Sequence, residues 1–208
     1  MHKTIFFILI LTLCSISQAQ DTSSIHPLIT QPDIRLFYIS SLIYSGVNAG
    51  IEFPVIPLNQ KYIGNPKSNR YIRERFISGN LSWYHHSGFH DNIFITVGWI
   101  MRRTKSSGFI SEFSAGPGFS RTFLSGTTYK VNDNGKISVT RLAGYNYALM
   151  KLGGGFGYDF YMKKKLPLSS IATLSLISMF PYNSTLYFRP IFEIGIVYNL
   201  SGLRKHID

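Results

Sequence analysis

Between Tyr84 and Asp91 the chain reads Tyr84-His85-His86-Ser87-Gly88-Phe89-His90-Asp91, and three of its six histidines fall there. Imidazoles and a carboxylate at this density are the donor set of a divalent-metal site made from His85, His86, His90 and Asp91. The spacing argues against it. On an extended chain consecutive side chains point to opposite faces, so His85 and His86 do not readily share one ion. The simpler reading is a polar surface turn whose histidines cap strand ends and meet water, with no metal and no cofactor. Gly153-Gly154-Gly155, with Gly157 beyond, has the glycines of a phosphate loop. It lacks the following Lys and Ser/Thr and the strand-to-helix setting, so close packing or strand curvature explains it better. Asn183-Ser184-Thr185 matches a glycosylation acceptor, which has meaning only in a host that glycosylates such loops.

The elements that must position these residues alternate with period two, the mark of half-buried strands. Val47, Ala49, Ile51 and Phe53 oppose Asn48, Gly50 and Glu52. Ile77, Gly79, Leu81 and Trp83 oppose Ser78, Asn80, Ser82 and Tyr84, and Ile93 to Met101 alternates with Phe94 to Arg102. Phe109, Phe113, Ala115 and Phe119 oppose Glu112, Ser114, Gly116, Gly118 and Ser120. Leu152, Gly154, Phe156 and Tyr158 oppose Lys151, Gly153, Gly155 and Asp159, and residues 168–180 and 186–200 complete the set. A soluble β-sandwich also alternates, with its apolar face inside. Here the second face is Gly, Ser, Asn and isolated charges, which suits a narrow polar lumen, and the strands are long enough for a tilted crossing of about 10 residues.

The last strand reads Phe192-Glu193-Ile194-Gly195-Ile196-Val197-Tyr198-Asn199-Leu200. Glu193, Gly195, Tyr198 and Leu200 fill the positions of a C-terminal barrel signal, and the segment resembles that of outer-membrane β-barrels. It departs from the usual pattern in one respect, because residues 201–208 follow where the family stops at the aromatic. At the other end a basic start (His2, Lys3), an apolar run from Ile5 to Leu13 and Ser17-Gln18-Ala19 make a cleavable signal peptide over residues 1–19. The run is shorter than the roughly 20 residues of a membrane-spanning helix. A lipoprotein signal at Cys14 is disfavoured because Leu13 stands where a small residue is needed. Cys14 is the single cysteine, so the mature chain holds together without disulfides.

Composition agrees with a lipid-embedded barrel: 15% aromatic, 15% charged and 18 Gly. The formal net charge of +11 raises the question of nucleic acid. Export and the scatter of Lys and Arg argue against that partner and for anionic headgroups and lipopolysaccharide phosphates. The expected organisation is a signal peptide (1–19), an N-terminal segment (20–33), a barrel (34–200) and a tail (201–208), with no appended peptidoglycan-binding domain. Seven strands are countable, and single-chain bacterial barrels use even numbers. Splitting the first region into Ile34–Ile43 and Gly46–Pro54, with a turn at Tyr44-Ser45-Gly46, yields eight. Counting back from a periplasmic C-terminus puts Pro181–Thr185, Ser125–Arg141 (with its Asn132-Asp133-Asn134-Gly135 turn) and His85–Asn92 outside. Met162–Pro167, Arg103–Ser107 and the long link Val55–Asn69 then fall inside.

The whole pattern resembles the small OmpA-type or OmpX-type barrels, all-β and antiparallel, with a lumen just filled by side chains. The resemblance implies an outer-membrane monomer that contacts lipid and lipopolysaccharide and is inserted by the barrel assembly machinery. Glu52, Arg102, Glu112, Lys151, Asp159 and Glu193 face the lumen on this reading, where burial demands that they pair. One group of such barrels, the lipid A deacylases, carries His-x-Ser with a carboxylate, and His85 and Ser87 resemble that pair. It would imply that His85 takes the proton from Ser87, that the hydroxyl attacks an ester, and that Glu112 or Asp91 orients the imidazole. The departures are Gly88 where the group has Asn and a glutamate off its usual spacing. The expected function is therefore structural or surface-interacting rather than enzymatic, with the hydrolase and a narrow solute channel as alternatives.

Overall fold

The computed structural model describes residues 32–41, 44–55, 71–182 and 185–200. The signal peptide, most of the N-terminal segment, the link from 56 to 70 and the tail from 201 lie outside them. Eight strands form an antiparallel sheet that closes on itself: β1 (Asp33–Ser40), β2 (Ser45–Pro54), β3 (Tyr71–His86), β4 (His90–Lys105), β5 (Phe109–Leu124), β8 (Gly144–Asp159), β9 (Leu168–Tyr182) and β10 (Thr185–Asn199). Each pairs with its neighbours in the chain, and β1 closes the ring on β10, from Asp33 opposite Asn199 to Ser40 opposite Phe192. Two short strands, β6 (Thr128–Val131) and β7 (Ile137–Thr140), make a separate hairpin between β5 and β8.

The ladder is staggered. Following hydrogen-bonded partners from Ile72 through Thr104, Ile110, Gly157, Ile171, Gly195, Phe37 and Asn48 returns to β3 at Ser82, ten residues along. For eight strands, closure with such a stagger tilts them by roughly 35–45° and leaves an interior that side chains can fill. At one end the β4–β5 connection is tight, with Gly108 at φ 91. The opposite end carries the β6–β7 hairpin. The first is called here the terminal end, since β1 starts and β10 finishes there, and the second the hairpin end.

Alternation sends apolar side chains outward. Leu36, Val47, Ile95, Phe156 and Leu174 are 52%, 55%, 54%, 65% and 65% exposed, while Glu52 and Arg102 are fully enclosed. That inverts a soluble protein, which rarely shows a contiguous apolar patch beyond a few hundred Å². Inside, the hairpin half holds Ile39, Tyr84, Phe94, Tyr147, Leu149, Ile177, Met179 and Ile191, with Tyr44, Tyr182 and Tyr187 against them. A smaller apolar group joins Phe37, Ile110, Ile171 and Val197. Charges occupy the space between.

Several boundaries differ from the sequence expectation. β1 ends at Ser40 and β2 begins at Ser45, opposite each other, and the Ser41 amide donates to the Tyr44 carbonyl at 2.9 Å; Ser45 and Gly46 belong to β2. The expected loop His85–Asn92 is mostly strand, with His86 opposite His90 and only residues 87–89 turning. β8 begins at Gly144, ahead of Lys151, and the segment 125–141 contains a hairpin. The hairpin turns at Asn132-Asp133-Asn134-Gly135, as the sequence predicts, with Gly135 at φ 72. The 160–167 connection holds a short helix, α1 (Tyr161–Lys164).

Candidate functional site

The ladder brings four charged side chains from four strands to one level of the lumen. Arg102 on β4 stands directly opposite Glu112 on β5. Its Nε and Nη2 donate to Glu112 Oε2 at 2.9 and 2.7 Å, and Nη2 also donates to Glu52 Oε1 and Oε2 at 3.0 and 2.8 Å. Arg35 on β1 reaches the same two acids, donating to Glu52 and, at 3.0 Å, to Glu112 Oε1. Phe37 and Phe76 lie under the two guanidinium groups, at 4.5 and 4.6 Å from ring centroid to carbon. Two cations and two anions balance locally, which is the condition for keeping charge out of water.

Beside it, Lys151 Nζ donates to Glu193 Oε2 at 2.6 Å. Asn48 Nδ2 and Ser175 Oγ donate to the same carboxylate at 3.0 and 3.2 Å. The gap between the two groups is a lumenal cavity of about 30 Å³, the room of about one water. Asp159 stays apart at the terminal end and accepts from the Tyr161 amide at 3.0 Å, holding the first turn of α1.

Sequence reasoning missed two arginines. Arg35 was not singled out, although its place in an Asp33-x-Arg35-x-Phe37 alternation was a readable signal. Arg189, in the hairpin half, lies over the rings of Tyr44, Tyr84 and Tyr187 at 4.6, 4.9 and 5.4 Å and donates to the Tyr84 hydroxyl. Tyr187 is two residues away on the same strand, but no local sequence signal brings Tyr44, next to the start of β2, and Tyr84 of β3 around it.

The His85 cluster splits across the wall. His85 is on the outer side, its Nδ1 2.7 Å from Asp91 Oδ1 on the facing strand. His86 and His90 turn inward, their rings 5.2 Å apart and 4.6 and 5.8 Å from Tyr44. Among the described residues, no three of His, Cys, Asp and Glu gather as ligands for a metal. Ser87 is exposed in the turn. Glu112 cannot serve His85: Asp91 is level with Phe123, and Glu112 lies eleven residues further along β5, about 36 Å at ~3.3 Å per residue.

Of the C-terminal pattern, Glu193 enters the lumen and Tyr198 faces outward, with Leu200 exposed just past β10. Gly195 fits because a Cβ there would stand 2.1 Å from the Leu36 carbonyl oxygen and 2.7 Å from the Phe37 ring.

No protein-family model matches the chain, and no curated protein does. Among solved structures it is similar to Neisserial surface protein A (11% identity, covering 81% of this chain and 94% of that one, TM-score 0.47). It is also similar to the N-terminal β-barrel domain of Pseudomonas aeruginosa OprF (13%, 80% and 96%, 0.39) and to the outer membrane enzyme PagL (11%, 80% and 97%, 0.37).

Proposed function

We propose that this chain is a small integral outer-membrane barrel with a structural or surface-interaction role, exported by its 1–19 segment and inserted as a monomer. The observation that supports it best is the inversion: an apolar outer wall around a lumen of paired charges. Every strand of the ring has both neighbours, so backbone groups are satisfied without water, as a bilayer requires. No helix among the described residues is long and apolar enough to cross a membrane, so crossing would fall to the strands. The lumen is occupied by side chains from Arg35 to Arg189, which disfavours a solute channel. The reading is tested by comparing boiled and unboiled outer-membrane fractions on a gel. A mobility shift is expected; a soluble periplasmic chain with no shift would overturn it. Planar-bilayer recordings should show no steps above background.

The His85–Asp91 hydrogen bond favours a second reading, an ester hydrolase at the lipid surface, with Asp91 in place of Glu112 as the orienting acid. Asp91 would hold His85 Nδ1–H while Nε2 takes the Ser87 proton. The serine oxygen would then acylate, the proton would pass to the leaving alcohol, and water would release the acid. Mass spectrometry of lipid A and phospholipids from cells expressing wild type and Ser87→Ala decides: identical acylation removes this reading.

A further inference from the structure

The outer wall at the terminal end of β3 and β4 carries Arg73, Arg75, Arg103 and Lys105, all outward by the alternation that turns Glu74, Arg102 and Thr104 inward. Arg73 stands directly opposite Arg103, with Arg75 opposite Met101 and Lys105 opposite Tyr71. Like charges facing each other across an antiparallel pair destabilise it. No described carboxylate relieves them on this wall: Asp33, Glu52, Glu74, Glu112, Asp159 and Glu193 are buried, Asp91 is at the hairpin end, and Asp133 is in the turn between β6 and β7. Tyr71 lies 5.6 Å from the Arg103 guanidinium, and Phe109 5.6 Å from Lys105 Nζ. Aromatic rings beside cations at a strand end are the composition of a membrane–water interface.

A groove of about 610 Å³ on the same wall has Arg103 and Ser111 at its edge and Met101, Phe113, Phe156 and Leu174 as apolar sides. Its floor is Gly154, where a Cβ would meet nothing nearer than the Glu112 carbonyl oxygen at 4.0 Å. That volume is within the range of about 300–1,000 Å³ of small-molecule sites.

We propose that this rim and groove bind one anionic phospholipid of the periplasmic leaflet, the phosphate between Arg73 and Arg103 and an acyl chain over Gly154. The proposal rests on the membrane-spanning reading with both termini in the periplasm. Charge complementarity selects the occupant. Guanidinium forks match phosphate oxygens, whereas the ammonium of a zwitterionic headgroup finds no described carboxylate on this wall. Lipopolysaccharide belongs to the opposite leaflet.

The test is native mass spectrometry of the refolded mature chain in detergent, with phosphatidylglycerol, phosphatidylcholine of the same acyl chains, and lipid A in competition. Wild type should retain one phosphatidylglycerol with a preference of roughly tenfold. Arg73→Gln/Arg103→Gln should lose most of that preference, and Gly154→Leu should weaken retention of either phospholipid. Lys163→Gln/Lys164→Gln/Lys165→Gln, which removes three charges from α1 and the residue that caps it, should leave the preference intact. No preference in wild type, preference surviving the double arginine variant, equal loss in the lysine variant, or lipid A winning the competition would each overturn the proposal. Boiled and unboiled gels of each variant separate the two readings. A heat-modifiable barrel without the preference sinks the lipid site alone, and a chain with no shift sinks the membrane reading as well.

Discussion

Two levels of one lumen solve the same problem differently. In the middle, Arg35 and Arg102 are neutralised by Glu52 and Glu112 through charged hydrogen bonds. Toward the hairpin end, Arg189 is 5% exposed and is held by the faces of three tyrosines and one hydroxyl. A buried carboxylate pair is cohesive only while every partner remains, because a deleted partner leaves a charge stranded in a poor solvent. A cation held by ring quadrupoles strands no opposite charge when it is removed. The middle level is therefore an all-or-nothing lock, and the mouth is a tolerant plug.

The contrast is sharpest at Arg102. Arg102→Met leaves Glu52 and Glu112 sharing Arg35, with an expected loss of about 3–5 kcal/mol, read as the urea concentration at which the folded gel band disappears. An unchanged midpoint would break the lock idea. Lys151→Met comes next. Glu193 keeps Asn48 and Ser175, so the loss should be about 1–3 kcal/mol by the same assay, and Lys151→Arg, which keeps the cation, should lose much less. Arg189→Met should cost least, about 1 kcal/mol, since methionine fills the space and no anion is orphaned. A loss as large as that of Arg102→Met would erase the distinction between the two levels.

Much of the wall was legible because alternation is written in the chain itself, as at Val47 to Phe53 or Ile93 to Met101. The strand ends were less so. Arg73, Arg75, Arg103 and Lys105 face outward in register with apolar neighbours, yet as charges they break the apolar period that marks a strand, and β3 extends back to Tyr71 regardless. The hairpin end differs for another reason: β6 and β7 are held by pairing with each other outside the ring, so period-two burial does not apply to them.

Period, parity and many of the inward charges follow from the sequence, because a strand alternates its side chains whatever it pairs with. Which charges meet does not follow. Arg35 and Glu112 are 77 residues apart, and Arg189 and Tyr84 are 105 apart. Only a ring closed with a ten-residue stagger sets them at one height, since register across eight ladders is a property of closure and of no single strand. The same closure separates His85 from Glu112 while joining it to Asp91.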